Sequence, residues 1–166
     1  MAVVKVAPAV KPDNQPTKAA CWYSCFRMLF QWKIDKGDSS KDPDKILSML
    51  DRSPNLFPYD MYATEGIRVQ DCREAARYLG LRCGGGPISG EALSDLLKTR
   101  GPLWIAGNWG SGSHVIVVTG YNDDNGQIRY VNPYNNVTLK DSSGGLDWLN
   151  QRTDVWINCE ASVMYW

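Results

Sequence analysis

The periodicity of the chain changes once, at Pro102, and that change restricts the fold more than any other feature of the sequence. Before it, apolar residues recur at helical spacing: Trp22, Cys25, Phe26, Leu29 and Trp32, then Val69, Cys72, Ala75, Ala76 and Leu79, then Leu93, Leu96 and Leu97. After it come three β-rich runs, Pro102 to Ala106, His114 to Tyr121 and Gln127 to Val131, separated by Gly, Ser, Asn and Asp. Asn122-Asp123-Asp124-Asn125-Gly126, between the second and third runs, is a hairpin signal, so an antiparallel meander is expected. Helices first and antiparallel strands second is the pattern of an α+β domain with two lobes.

Local punctuation sets the element boundaries. A helix is expected to begin near Cys21, and Asp42-Pro43 has the form of an N-cap followed by proline at the first position of a short helix over 43–51. Gly80 is placed to end a helix over 68–79, and Ser89 opens one that stops at Gly101. Gly144 to Arg152 suits one more short helix and Ser162 to Trp166 a closing strand. Residues 1–14 read as an irregular arm. The stretch 53–66 holds Leu56, Phe57, Tyr59, Met61 and Tyr62 among its prolines, too apolar for an idle loop and suited to walling a cleft. At 166 residues the chain suits one domain, 1–166, able to bury roughly 70% of its unfolded surface.

Composition narrows the function classes. Lysine plus arginine equals aspartate plus glutamate at 18 each, without blocks of like charge, which argues against nucleic acid or an anionic membrane as partner. No apolar stretch is long enough to span a bilayer, and the first ten residues lack the pattern of a signal peptide. Five cysteines, an odd and irregularly spaced set, fit synthesis in a reducing cytosol, although Cys72 and Cys83 could be bridged across a helix-to-strand turn. With one histidine and no paired CxxC motifs, no metal and no cofactor are expected. The expected chain is a monomer.

Chemistry concentrates in two places. Cys21 falls in the first turn of its helix, where the positive end of the dipole favours thiolate, so its pKa is expected to be lowered. Cys25, one turn on and on the apolar face, reads as a packing residue. Gln15 lies on the loop before the helix, where its amide could donate to an oxyanion together with the Cys21 N–H. His114, the only imidazole, opens a strand directly after the flexible Trp109-Gly110-Ser111-Gly112-Ser113 loop. Asn132 ends the next strand before Pro133, where a hairpin can bring its amide oxygen to the ring and fix the tautomer that accepts a thiol proton. Trp109, Gly66 and Trp22 are the candidates for lining the substrate cleft. Taken singly, each residue also has an ordinary reading: a buried cysteine, a strand-start histidine, a turn asparagine.

Taken together, Gln15, Cys21-Trp22, His114 and Asn132 stand in the chain order of papain-like cysteine proteases. The sequence most resembles the avirulence-type effector proteases of plant-pathogenic bacteria, through Ala20-Cys21-Trp22-Tyr23-Ser24-Cys25, Leu97-Lys98-Thr99-Arg100-Gly101-Pro102, the His-x-x-Val-x-Thr-Gly run from His114, and Leu149-Asn150-Gln151-Arg152. It is also similar, more weakly, to double-glycine leader peptidases. The resemblance implies a papain-like fold, a helical lobe carrying the catalytic helix against an antiparallel sheet lobe, and a thiol endopeptidase with a Cys21–His114–Asn132 triad and Gln15 in the oxyanion hole. It implies a protein or peptide substrate, delivery from the bacterial cytoplasm into a target cell, and a cognate inhibitor protecting the producer. A peptidoglycan amidase or an acyltransferase using the same triad is the alternative, and a non-enzymatic binding module a third. Two departures stand out: the family's third residue is typically aspartate, and the long N-terminal extension for delivery is missing, so secretion cannot be read from the chain.

Overall fold

The structure, a computed structural model, describes residues 3–108, 112–134, 137–140, 145–153 and 159–166. Strand β1 (Val3–Lys5) is followed by five helices: α1 (Cys21–Asp35), α2 (Ile46–Leu50) behind a 3-10 turn at Pro43–Lys45, α3 (Pro58–Asp60) running into a π-turn at Met61–Glu65, α4 (Cys72–Leu79) and α5 (Gly90–Thr99). Strand β2 (Arg82–Gly84) lies between the last two, and β3 (Leu103–Asn108), β4 (Ser113–Asn122), β5 (Gln127–Asn132), β6 (Val137–Lys140), α6 (Leu146–Thr153) and β7 (Val163–Tyr165) complete the order. The expected boundaries hold to within a residue or two. Asp42 caps the short helix with Pro43 inside it, Gly80 closes α4 in the left-handed conformation at φ 74°, and the Ser89 hydroxyl accepts from Ala92 N.

The strands form one antiparallel sheet in the order β2-β7-β3-β4-β5-β6, so β3 to β6 make the expected meander and β7 returns to the interior. The strands read as near-continuous apolar runs because both faces are covered. Trp104, Ala106, Val115, Val117, Val131 and Met164 pack toward α1 and the other N-terminal helices, while Leu103, Ile105, Ile116, Val118 and Val163 pack with Leu93, Leu97 and Leu149 from α5 and α6. Strict alternation along β3 and β4 sorts the two sets.

The helix α1 is fixed to the sheet at several points. Phe26 stacks on Trp104 at 5.0 Å, the Trp104 indole donates to Trp22 O at 3.1 Å, and the Trp166 indole donates to Leu29 O at 3.0 Å. Phe26, Met28 and Leu29 are fully buried, each worth roughly 1.5–3 kcal/mol of transfer free energy. This packing, not a capping residue, places the start of the helix: Ala20 occupies the N-cap and no side chain bonds there.

The N-terminal arm departs from expectation. Residues 3–5 are a strand, with Val3 opposite Asn122 and Lys5 opposite Gly120. β3 begins at Leu103, opposite Val118, and β1 takes the β4 edge that remains beyond it. The five cysteines are free, and the bridge considered between Cys72 and Cys83 is absent.

Candidate active site

Cys21 and His114 open on one cleft of about 360 Å³, lined by Lys18, Ala19, the turn from Ala63 to Ile67, and Gly112 to Val115. The cysteine comes from the first residue of α1 and the histidine from the start of β4. Because no side chain caps α1, the N–H groups of its first turn are not claimed by a capping oxygen and remain oriented to receive negative charge. Cys21 itself is 8% exposed. Burial pushes its thiol up, more than hydrogen bonds at the backbone of Val115, Trp22 and Cys21 pull it down. The expectation of a lowered pKa is therefore corrected: desolvation of the sulfur outweighs the helix terminus. Cys25 is fully buried with its thiol donating to Val115 O at 3.4 Å, the packing role its position implied.

The imidazole is held from behind. His114 Nε2 lies 2.9 Å from Asn132 Oδ1, and the Tyr134 N–H donates to the same oxygen at 3.0 Å. A backbone N–H can only donate, so the atom facing it must be the amide oxygen, and that fixes which way the Asn132 side chain points. The oxygen in turn can only accept, so the ring proton sits on Nε2 and Nδ1 carries the lone pair. Burial lowers the imidazole pKa, and the Asn132 bond partly restores it. With Val117 opposite Val131, Asn132 falls diagonally across the β4–β5 pair from His114, within reach of the ring. Burial thus favours the neutral form of both groups: Cys21 keeps its proton and the His114 ring stays uncharged.

The remaining candidates fall in different places. Gln15 is absent from the cleft wall: its Nε2 donates to Thr17 O at 2.8 Å and Lys18 O at 3.2 Å, and its Oε1 is buried without a partner. Its backbone N–H donates to Pro133 O at 3.0 Å, which ties the loop before Cys21 to the segment after Asn132. Gly66 does line the cleft, at φ 71°, a left-handed conformation that glycine adopts without strain. Trp22 does not, and the expectation that it lines the cleft is corrected. It is fully buried, and its indole donates to Met61 O at 3.2 Å. Its place is beneath the turn that forms the wall. Trp109 lies outside the described residues.

The sequence reading missed Ala63, Thr64, Glu65 and Ile67, which form the wall in place of the aromatic neighbours of Gly66. Tyr62 turns away to meet Tyr23 edge-on at 5.2 Å, and Tyr62 O accepts the Thr17 hydroxyl. Only the apolar excess of 53–66 pointed toward this wall. No group of metal-ligating side chains occurs among the described residues.

A thiol at a helix start and an imidazole on a neighbouring strand, opening together on one cleft, is the arrangement of a thiol hydrolase. The chain belongs to the papain-like cysteine protease AvrRpt2 family, whose model matches residues 7–154, and it is accordingly a cysteine protease with protein substrates. No individual curated protein matches it.

Proposed function

We propose that the chain is an endopeptidase with Cys21 as nucleophile, His114 as acid and base, and Asn132 as the residue that orients the ring. The two hydrogen bonds at Asn132 Oδ1 carry this reading, because they leave Nδ1 as the basic nitrogen of the only imidazole in the cleft. Nδ1 takes the thiol proton as the sulfur attacks the peptide carbonyl. The negative charge on the carbonyl oxygen meets the Cys21 N–H and the first-turn groups of α1. Gln15 supplies the second donor once its amide releases Lys18 O, the longer of its two bonds and the exchange that its unpartnered Oε1 favours. The imidazolium then protonates the leaving amine, and water, activated by the same ring, releases the acyl group.

In this reading the N-terminal helices and the sheet are the two lobes of a papain-like fold, with peptide bound between the 63–67 wall and the β4 start. The family name is consistent with a further step, an effector acting on proteins of a target cell, and a cognate inhibitor in the producer belongs to the same proposal.

The test is a target-cell protein extract incubated with wild type and Cys21→Ala, read for new N-termini by mass spectrometry. Wild type should generate them and Cys21→Ala should not. Hydrolysis that survives Cys21→Ala and is lost in Cys25→Ala would refute the nucleophile. Cleavage of peptidoglycan stem peptides with proteins untouched would refute the endopeptidase.

A further inference from the structure

The turn that follows the cleft wall collects two thiols from distant parts of the chain. Cys72 Sγ, at the start of α4, lies 3.4 Å from Arg68 O, and Cys159 Sγ, just before β7, lies 3.7 Å from Val69 O. Their sulfurs converge on consecutive carbonyls of one turn. Neither thiol lines the cleft. We infer that Cys72 and Cys159 are an oxidisable dithiol, a modification site separate from the nucleophile, which small-molecule disulfides convert to a bridge between α4 and the segment leading into β7.

The two sulfurs have unequal parts. Cys72 is fully buried, whereas Cys159 keeps 5% of its surface, so a reagent meets Cys159 first. The hydrogen bond from Cys72 lowers the Cys159 thiol to about 6, with help from the Ala161 backbone and the Arg73 guanidinium, while Cys72 is held up by the same bond and by burial. Cys159 is thus the thiolate, and Cys72 the resolving thiol. With oxidised glutathione as oxidant, the Cys159 thiolate attacks one sulfur and expels a glutathione thiolate, leaving a mixed disulfide. Cys72 then loses its proton to solvent and attacks the Cys159 sulfur, expelling the second glutathione. Two protein thiols are oxidised, and one glutathione disulfide is reduced to two thiols.

The bridge would close the chain from 72 to 159 and tie the base of the cleft wall to an interior strand. Cys83, the sequence neighbour of Cys72, sits on β2 opposite Met164. The turn at Arg68 and Val69, whose carbonyls Cys72 and Cys159 both approach, sets the pairing.

The test uses the full chain in the Cys21→Ala background, which removes the nucleophile's own reaction with the oxidant. Millimolar oxidised glutathione should remove two hydrogen atoms from the intact mass, and peptide mapping should join Cys72 to Cys159. The oxidised form should melt roughly 5–15 °C higher than the reduced form. Cys72→Ser and Cys159→Ser should each abolish the mass loss, and Cys83→Ser should leave it. A map that joins Cys72 to Cys83, a Cys159 that stops at the glutathione adduct, or both thiols remaining free would overturn the inference. Mapping the parent needs no further substitution, so a variant that fails to fold does not blunt the test.

Discussion

Replacing Asn132 with alanine removes the acceptor that lies 2.9 Å from His114 Nε2. In the resting state this is a bond between neutral partners, worth about 1 kcal/mol net. Once the ring has taken the thiol proton, the donor is an imidazolium, and the same bond is worth about 1.5–3 kcal/mol. The Tyr134 N–H also loses its partner, but Tyr134 is 68% exposed and water replaces it. The cost therefore falls on the charged state. The difference between the two states is about 0.5–2 kcal/mol, so at about 1.4 kcal/mol per factor of ten kcat/KM should fall roughly 2- to 30-fold, and the rate of Cys21 alkylation by iodoacetamide at neutral pH should fall in parallel. Asn132→Asp should keep the acceptor and add a charge that favours imidazolium, raising the His114 pKa by roughly one unit or more. Because activity needs a pair holding one proton and not two, the acid limb of its pH profile should move up by the same amount. The assay pairs hydrolysis of an unfolded protein with alkylation across pH, with circular dichroism to show that each variant folds. If Asn132→Ala stays within twofold of wild type on both readouts, the imidazole is not held as described and the tautomer argument fails.

Other expectations follow from neighbouring features. In wild type the acid limb reports the second proton on His114, lowered by burial, and the alkaline limb reports loss of the last proton from a pair whose thiol is raised. Hydrolysis should therefore hold a plateau extending from below about pH 6.5 to above about 9, while Cys21 alkylation goes on rising through the alkaline limb as thiolate forms, and a narrow optimum for hydrolysis would contradict it. Gly101→Ala forces a Cβ to within 2.4 Å of the Trp32 ring at a φ of 97°, so it should lower stability by about 2–5 kcal/mol in urea unfolding. Trp22→Phe leaves Met61 O without its indole donor beneath the cleft wall, so it should cost about 1–3 kcal/mol and raise KM more than it lowers kcat.

What the sequence disclosed is what local patterns can encode. The 3.6-residue recurrence from Trp22 to Trp32 is the buried face of α1, and the turn residues around Asn122–Gly126 fix a hairpin that brings positions 114 and 132 together. Chain order sufficed for Asn132 because one hairpin carries both it and His114. Other features depend on partners far along the chain. The Trp22 indole bonds a carbonyl 39 residues away, which is why an aromatic beside Cys21 is floor and not lining. The β1 pairing depends on the β4 edge left where β3 begins, and no property of Val3-Val4-Lys5 announces it. Cys72 was matched with its sequence neighbour Cys83, whereas the fold brings it Cys159. The Ala63-Thr64-Glu65 wall is built from residues without chemistry of their own, set in place by a π-turn. The pKa of Cys21 was misjudged for the same reason: a helix terminus is visible in the sequence, and the depth at which the sheet buries it is not.

The strand order carries a consequence for how this protease comes into being. β7, made of residues 163–165, slots between β2 and β3, and β2 has no other partner among the described residues. Both reactive side chains have therefore left the ribosome while the middle of the sheet still has a gap. A nascent chain is held short of its finished sheet until residues 163–165 arrive, so a producing cell meets the folded hydrolase only after synthesis has passed that point.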